Sequence, residues 1–292
     1  MKRLIITLAA AVLALSAANA EEKTKTYNFG DITGISAGGI YQIHVTEGKS
    51  DKVKVVYDDD IEEYVKLEVR YFSGTLTLTT KQDKPFKNWS RNSEIHVYVE
   101  MDRVEEISLS GAAKATFDGS YKTDKLDVDL SGATNLNDLF IEGHSLDVDL
   151  SGASTAEITG NFANKVEVDI SGASRLSLTG NSRILESDIT GASSLFCAGS
   201  FDTCEVSCSG ASKAELKGDV SEAEYECSGA STIDAEEFHA RFVDIDLTGA
   251  SKAKVYAKEK LHHYVSRGSK MTYYGDAALF NMNEDRNVVK GN

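Results

Sequence analysis

Carboxylates recur at a fixed place in the second half of this 292-residue chain. They lie five and three residues before a glycine that returns every 19 to 21 residues. A spacing of two places both acids on the same face of a β-strand. Carboxylate oxygens are ligands that Ca²⁺ prefers, so the pattern predicts a cation-binding face. The candidate residues are Asp127, Asp129, Asp147, Asp149, Glu167, Asp169, Glu186 and Asp188.

These two sets, which we call the acidic columns, permit two other interpretations. They could hold a cationic partner surface, or they could be a solvated face whose like charges keep a repetitive β-protein soluble. The sequence contains no calcium loop of the Asp-x-Asp-x-Asp-Gly kind. We favour the solvated face and leave calcium, the one cofactor that the sequence suggests, as an open alternative.

Four cysteines lie close together in the chain, at Cys197, Cys204, Cys208 and Cys227. Cys208 and Cys227 are one repeat apart, at the same place in the pattern, so stacked repeats would bring them within disulfide range. Cys197 and Cys204 flank a turn and could form a second pair. The equal alternative is four buried thiols that pack as small hydrophobic side chains. A zinc site is not expected, because no histidine lies among them.

The repeat itself predicts the fold. Apolar residues alternate with polar ones around each Ser/Thr-Gly-Ala motif, which indicates strands. A period near 20 residues is typical of one coil of a β-solenoid. We therefore predict a parallel β-helix of eight or nine coils over residues 105–275, right-handed by the preference of parallel crossovers. The motif glycines are Gly111, Gly132, Gly152, Gly172, Gly191, Gly210, Gly229 and Gly249.

The flanking segments have other expected roles. Residues 1–20 resemble a secretory signal peptide, with Lys2 and Arg3 before an apolar run that is too short to span a membrane. Residues 21–104 are rich in strands and are expected to cap the open end of the solenoid. Residues 276–292 are expected to form a C-terminal tail. The protein is thus predicted to be exported to the periplasm, the cell surface or the medium.

Several motifs outside the repeat resemble a known bacterial family. They are Gly-Gly-Ile-Tyr-Gln-Ile-His-Val-Thr-Glu-Gly at 38–48, Lys-Val-Val at 54–56, Tyr-Val-Lys-Leu-Glu-Val at 64–69, Gly-Thr-Leu-Thr-Leu at 74–78 and Gly-Ser-Lys-Met-Thr-Tyr-Tyr-Gly at 268–275. With the Ser-Gly-Ala repeats, they resemble the putative auto-transporter adhesin head-GIN-domain family. The resemblance implies a right-handed parallel β-helix, an envelope or secreted location and a role in adhesion. It brings no catalytic residues.

The net charge and the motifs narrow the range of possible functions. A net charge of −15 argues against nucleic-acid binding and against docking on anionic lipid. Nearly identical acids in every coil, without a nucleophile or metalloprotease motif, favour a non-enzymatic protein. We predict an adhesin-like protein that presents the acidic columns and the corner serines and threonines to a glycan, protein or cell surface, without membrane insertion. The alternatives are a carbohydrate-active enzyme and an envelope structural or sensory module. No oligomeric state is indicated.

Overall fold

A computed structural model of the chain describes residues 22–49, 52–58, 65–82, 94–281 and 287–292. These residues form a β-solenoid of about nine turns, and none of them is helical. The predicted fold class and coil number are confirmed. The predicted signal peptide lies outside the described residues. The described residues form no helix that is long and apolar enough to cross a membrane.

Strands account for most of the described chain. They are β1 (Glu22–Asn28), β2 (Gly34–Gly39), β3 (Tyr41–Glu47), β4 (Lys52–Asp58), β5 (Val65–Phe72), β6 (Thr75–Gln82), β7 (Ile95–Met101), β8 (Glu106–Gly111), β9 (Lys114–Asp118), β10 (Tyr121–Lys122), β11 (Lys125–Leu130), β12 (Asn135–Leu150), β13 (Thr155–Ile170), β14 (Arg175–Ile189), β15 (Ser194–Cys208), β16 (Lys213–Cys227), β17 (Thr232–Leu247), β18 (Lys252–Val265), β19 (Lys270–Tyr274), β20 (Ala278–Asn281) and β21 (Val288–Lys290).

The long strands β12–β18 pair in parallel, each with the next along the chain. Equivalent repeat positions face one another: Leu130 pairs with Leu150, and Leu150 with Ile170. These side chains are fully buried, whereas Asp149 between two buried neighbours is exposed. The alternation that the sequence predicts therefore builds a core of stacked apolar ladders with an acidic outer face.

The motif glycines form the tight corner that closes each coil. The eight have φ between 71° and 85°, a backbone region that favours glycine. From Gly132 onward, an added Cβ would lie 2.5–2.8 Å from the carbonyl oxygen of the glycine one coil earlier. The following alanine N–H donates a hydrogen bond of 2.7–2.8 Å to that same oxygen. Each corner is thus packed backbone to backbone.

A second corner, which the sequence analysis missed, is also built on glycine. Gly180, Gly199 and Gly218 each stack on the glycine of the previous coil, and an added Cβ would overlap its carbonyl oxygen. Gly160 makes the same approach to the carbonyl oxygen of Ile141. The motif glycines lie between consecutive long strands, whereas this second set of glycines lies within β13, β14, β15 and β16.

An inner hydroxyl ladder follows the first corner, two residues after each motif glycine from Gly132 to Gly249, and ends at Ser269, one residue after Gly268. Its side chains are buried, and several donate to a backbone carbonyl three residues earlier. The donor–acceptor distances are 2.8 Å for Ser154 to Ser151 and 2.7 Å for Ser193 to Thr190. These bonds satisfy hydroxyls that would otherwise be costly to bury. The ladder comprises Thr134, Ser154, Ser174, Ser193, Ser212, Ser231, Ser251 and Ser269.

Parallel stacking begins earlier than the predicted boundary at residue 105. Strands β2 and β3 pair in parallel with β8 and β9, and Gly39 lies opposite Gly111. On their other side, β2 pairs with β6 and β3 with β7. Antiparallel strands then follow, with β5 beside β6, β4 beside β7 and β1 beside β4. The insertion between the first two coils thus covers the N-terminal end.

The segment that the sequence assigns to a tail also carries strands. Strand β20 pairs in parallel with β18, and β21 pairs in parallel with β19. They continue the two faces of the solenoid by one partial coil. Leu279, Phe280 and Val289 on these strands are exposed.

We predict that Gly172→Ala lowers the free energy of unfolding by at least about 2 kcal/mol, because a left-handed conformation is costly for alanine and the new Cβ meets the Gly152 carbonyl. The measurement is urea unfolding of the full mature chain. Ala173→Ser, an exposed neighbour in the same corner, is the control and should leave stability unchanged. Equal stability of the Gly172→Ala variant and the wild type would show that the corner tolerates a side chain.

Candidate functional site

The structure brings all eight sequence-predicted acids together on one face. The first acidic column, five residues before each motif glycine, has Asp127, Asp147, Glu167 and Glu186 paired in successive coils. The second acidic column, three residues before it, stacks Asp129, Asp149, Asp169 and Asp188 in the same way. Parallel strands in register therefore place like charges beside one another along the solenoid.

Lysines bridge the first acidic column in two places, a feature that the sequence analysis did not predict. Lys165 Nζ lies 2.8 Å from Glu167 Oε2 and 2.7 Å from Glu186 Oε2. Lys125 contacts Asp127 and lies 3.6 Å from Asp147 Oδ2. Both lysines stand two residues before the acid of their own coil and reach the acid of the next. The neighbouring carboxylates raise the pKa of Lys125, chiefly through its hydrogen bond to Asp127.

The second acidic column has no such cation among the described residues. Burial, followed by the charges of Asp129 and Asp169, raises the pKa of Asp149. Burial and the charge of Asp188 raise the pKa of Asp169 in the same way. A raised carboxyl pKa means that the folded state disfavours the ionised form. Ionisation of Asp149 and Asp169 therefore opposes folding at neutral pH.

A groove runs beside the second acidic column. Its other wall is the outer hydroxyl column, the Ser or Thr directly before each motif glycine. One stretch has a volume of about 540 Å³, and a further stretch of about 400 Å³ continues it past Thr190 toward Thr248. The first stretch is lined by Asp129, Asp149, Asp169 and Asp188 with Ser131, Ser151, Ser171 and Thr190.

The hydroxyls of this groove are oriented by the backbone. Ser151 Oγ donates to the Leu130 carbonyl at 3.4 Å and Ser171 Oγ to the Leu150 carbonyl at 3.3 Å. Their lone pairs therefore remain available to an outside donor. Together with the carboxylates, they give the groove an acceptor-rich surface that suits ammonium, guanidinium or sugar hydroxyl donors.

The arrangement contains no obvious metal cage. Within the described ranges, no group of three or more His, Cys, Asp or Glu side chains is placed to hold a metal ion. The carboxylates are spread along columns and do not converge on a point. Calcium binding by the acidic columns stays an open alternative.

The four cysteines are buried in the core and are free thiols. Cys208 lies opposite Cys227 on the neighbouring strand, as the repeat predicts. Burial raises the pKa of Cys197 to about 12, and burial with the nearby Cys197 raises the pKa of Cys204. The two disulfides that the sequence allows, Cys208–Cys227 and Cys197–Cys204, stay an alternative to buried thiols.

Comparison with known proteins identifies the family. The sequence matches the family described as "Putative auto-transporter adhesin, head GIN domain" over residues 31–194 and 164–277. The chain belongs to this family. The two overlapping matches cover the first coil, the insertion and nearly all of the repeats.

One solved structure is similar to this chain in fold. A crystal structure of a putative adhesin from Parabacteroides distasonis ATCC 8503 is 18% identical, with a TM-score of 0.50 over 94% of this chain and 95% of that chain. A putative adhesin from Parabacteroides merdae ATCC 43184 is 17% identical, with a TM-score of 0.47 over 93% and 94% of the two chains. At this identity the likeness concerns the fold alone. No curated protein matches the sequence.

We predict that Asp149→Asn stabilises the head GIN solenoid at pH 7. Because the folded-state pKa of Asp149 is raised, its ionisation opposes folding, and the wild type gains stability as the pH falls. Solvent and salt screening limit the gain to about 1 kcal/mol or less, roughly 1–4 °C in melting temperature. The gain should vanish below pH 3.8, the unperturbed pKa, where both side chains are neutral.

Glu215→Gln is the control of opposite sign for the same thermal melts. The hydrogen bond from Lys213, with the charge of Lys217, lowers the pKa of Glu215, so its ionised form stabilises the folded state above pH 4.5. This variant should melt lower than the wild type at pH 7. If both substitutions shift the melting temperature in the same direction, the ionisation of Asp149 in the second acidic column is not the cause.

Calcium and magnesium should raise the wild-type melting temperature equally. A larger rise with calcium would identify a calcium site.

We predict that Cys197 and Cys204 resist iodoacetamide at pH 8 in the native protein, since thiolate formation requires exposure or a low pKa. Both should react in denaturant. Peptide mapping by mass spectrometry measures each site, and samples kept without reductant reveal a linked Cys208–Cys227 peptide pair if that disulfide forms. Rapid labelling of native Cys197 would contradict the buried ladder.

Proposed function

We propose that this chain is an exported, non-enzymatic adhesin whose groove between the second acidic column and the outer hydroxyl column binds a glycan, protein or cell surface. The family supports an adhesin-like role. The proposal rests mainly on the continuity of the groove. Carboxylates and hydroxyls line it at equivalent positions of successive coils.

Because the groove repeats in every coil, it would bind a partner through many similar contacts. Each coil offers a weak contact, because exposed ion pairs contribute only about 0.2–1 kcal/mol. A partner with its own repeating donors engages several coils at once, so that weak contacts add through effective concentration. A polysaccharide or a basic protein surface has this character, whereas a small compact ligand would contact too few steps.

The same repetition argues against catalysis. Acid–base chemistry needs two carboxyl groups whose surroundings push their pKa values apart. In this groove, Asp149 and Asp169 share the same surroundings, and both pKa values move upward. A column of equivalent acids suits recognition better than turnover. Export is supported by the adhesin family and by the predicted signal peptide.

We expect the purified mature chain to bind one or more surfaces in a panel of bacterial cells, extracellular-matrix proteins and immobilised glycans. Amide substitution of one, two and then all four of Asp129, Asp149, Asp169 and Asp188 should weaken binding stepwise, by roughly two- to threefold per acid. Surface plasmon resonance or a plate assay measures the loss.

The matched control carries the same charge change away from the groove, with Glu142, Asp202, Asp219 and Glu237 replaced by their amides. It should retain wild-type binding. Absence of binding across the panel, or equal losses in both quadruple variants, would contradict the proposal. Cleavage of an acidic polysaccharide that is abolished by one substitution in the column would show an enzyme instead.

A further inference from the structure

Two histidines that are 52 residues apart in the sequence meet on the outer face of the sheet formed by β9, β3, β7 and β4. His44 lies on β3 and His96 on β7. His44 Nε2 is 3.1 Å from His96 Nδ1, within hydrogen-bond distance. Both side chains are partly exposed, whereas their chain neighbours Ile43 and Val97 are buried. The fold therefore brings two imidazole nitrogens together where solvent can reach them.

A carboxylate orients one of the two rings. Glu94 Oε2 lies 3.3 Å from His96 Nε2, the ring nitrogen that does not face His44. A carboxylate at Nε2 favours the proton on that nitrogen, so His96 presents the lone pair of Nδ1 to His44. Histidines that bind metal ions commonly donate their other N–H to a carboxylate in this way. Glu94 and His96 thus have the arrangement of a metal ligand with its supporting acid.

Neighbouring groups hold the His44 ring and favour its neutral form. The Tyr98 ring stacks on it, with the centroids 4.9 Å and the planes 17° apart. Burial, and then the charge of His96, lower the pKa of His44. Neutral imidazole is the form that binds a metal ion. His44 Nε2 becomes a ligand when its proton passes through water to Nδ1 of the same ring.

The distance between the two nitrogens suits a shared metal ion. Bonds from imidazole nitrogen to zinc are about 2.0–2.1 Å long, so two such nitrogens on one ion lie about 2.9 Å apart at a right angle and about 3.3 Å apart at a tetrahedral angle. The observed 3.1 Å falls between these values. The ring planes differ by only 13°. Turning the two rings therefore directs both lone pairs at one ion without movement of the strands.

We propose that His44 Nε2 and His96 Nδ1 bind one divalent transition-metal ion, Cu²⁺ most tightly. Imidazole is a ligand of Cu²⁺, Ni²⁺ and Zn²⁺, and the affinity of a given site is greatest for Cu²⁺. Water completes the coordination, since no third His, Cys, Asp or Glu of the described ranges joins the pair in a metal-binding group. Glu94 is a positioning residue. The site lies apart from the hydroxyl-lined groove, so the inference does not depend on the adhesin proposal.

Isothermal titration of the full mature chain with copper chloride tests the site. Excess magnesium chloride screens the carboxylates of the acidic columns during the titration. One Cu²⁺ should bind per chain, at least tenfold more tightly than Zn²⁺. Electron paramagnetic resonance of the wild-type complex should show hyperfine coupling to two nitrogens. Absence of binding, or a spectrum from oxygen ligands alone, would overturn the proposal, and tighter binding of Zn²⁺ would overturn the assignment to copper.

Single substitutions locate the ligands. His44→Ala and His96→Ala should each weaken Cu²⁺ binding at least tenfold. The matched controls are His144→Ala and His239→Ala, because these exposed histidines also lie beside a carboxylate, that of Asp124 or Asp219. Both controls should keep the wild-type affinity, and circular dichroism checks that every variant is folded. Equal losses in all four variants would show adventitious binding to surface histidines and would overturn the proposal.

A further variant tests the role of the carboxylate. Glu94→Gln should weaken Cu²⁺ binding about tenfold, because the acid no longer holds the His96 ring. The spectrum should still show two nitrogens, since the ligands are unchanged. Unchanged affinity, or loss of one nitrogen from the spectrum, would contradict the assignment of Glu94 as a positioning residue.

Discussion

The corner glycines set the constraint on which the rest of the structure depends. At Gly152, Gly172 and their equivalents, the carbonyl oxygen of one coil occupies the space that the next coil's Cβ would need. Only glycine permits this approach, together with a positive φ. The alanine N–H bonded to the same oxygen fixes the height of each coil. Register at the corner follows, because a slip of one residue would place a residue with a side chain where only glycine fits.

Register then determines both what stabilises the solenoid and what opposes it. Stacking of like residues is favourable for the apolar ladders. It is also favourable for the buried hydroxyls, which form hydrogen bonds with backbone carbonyls and with one another. It is unfavourable for carboxylates: burial, and then the charges of neighbouring acids, raise the pKa of Asp149. Lys125 and Lys165 offset such repulsion in the first acidic column. The surface proposed for recognition is therefore also one where ionised side chains oppose folding, a common relation between stability and function.

Most of the fold could be predicted from the sequence, since the repeated Ser/Thr-Gly-Ala motif and period-two alternation are visible without structure. The first coil was hidden, because Gly39 lacks the motif and a long insertion separates it from Gly111. The second set of glycines was missed, although Gly160, Gly180, Gly199 and Gly218 recur every 19 or 20 residues and Thr-Gly-Asn occurs twice. The acidic columns were predictable from spacing alone. The lysine bridges and the hydroxyl-lined groove were not, because they depend on side-chain directions between coils.

The near-identity of the coils along the hydroxyl-lined groove has an entropic consequence. A partner that fits the step at Asp129 and Ser131 also fits the steps at Asp149, Asp169 and Asp188, each displaced by one coil. Four equivalent registers would add about 0.8 kcal/mol of statistical free energy to binding, from RT ln 4. Under a pulling force, such a partner could shift to the next register before it is lost. The partner would then stay bound to the groove while its point of contact moves from one coil to the next.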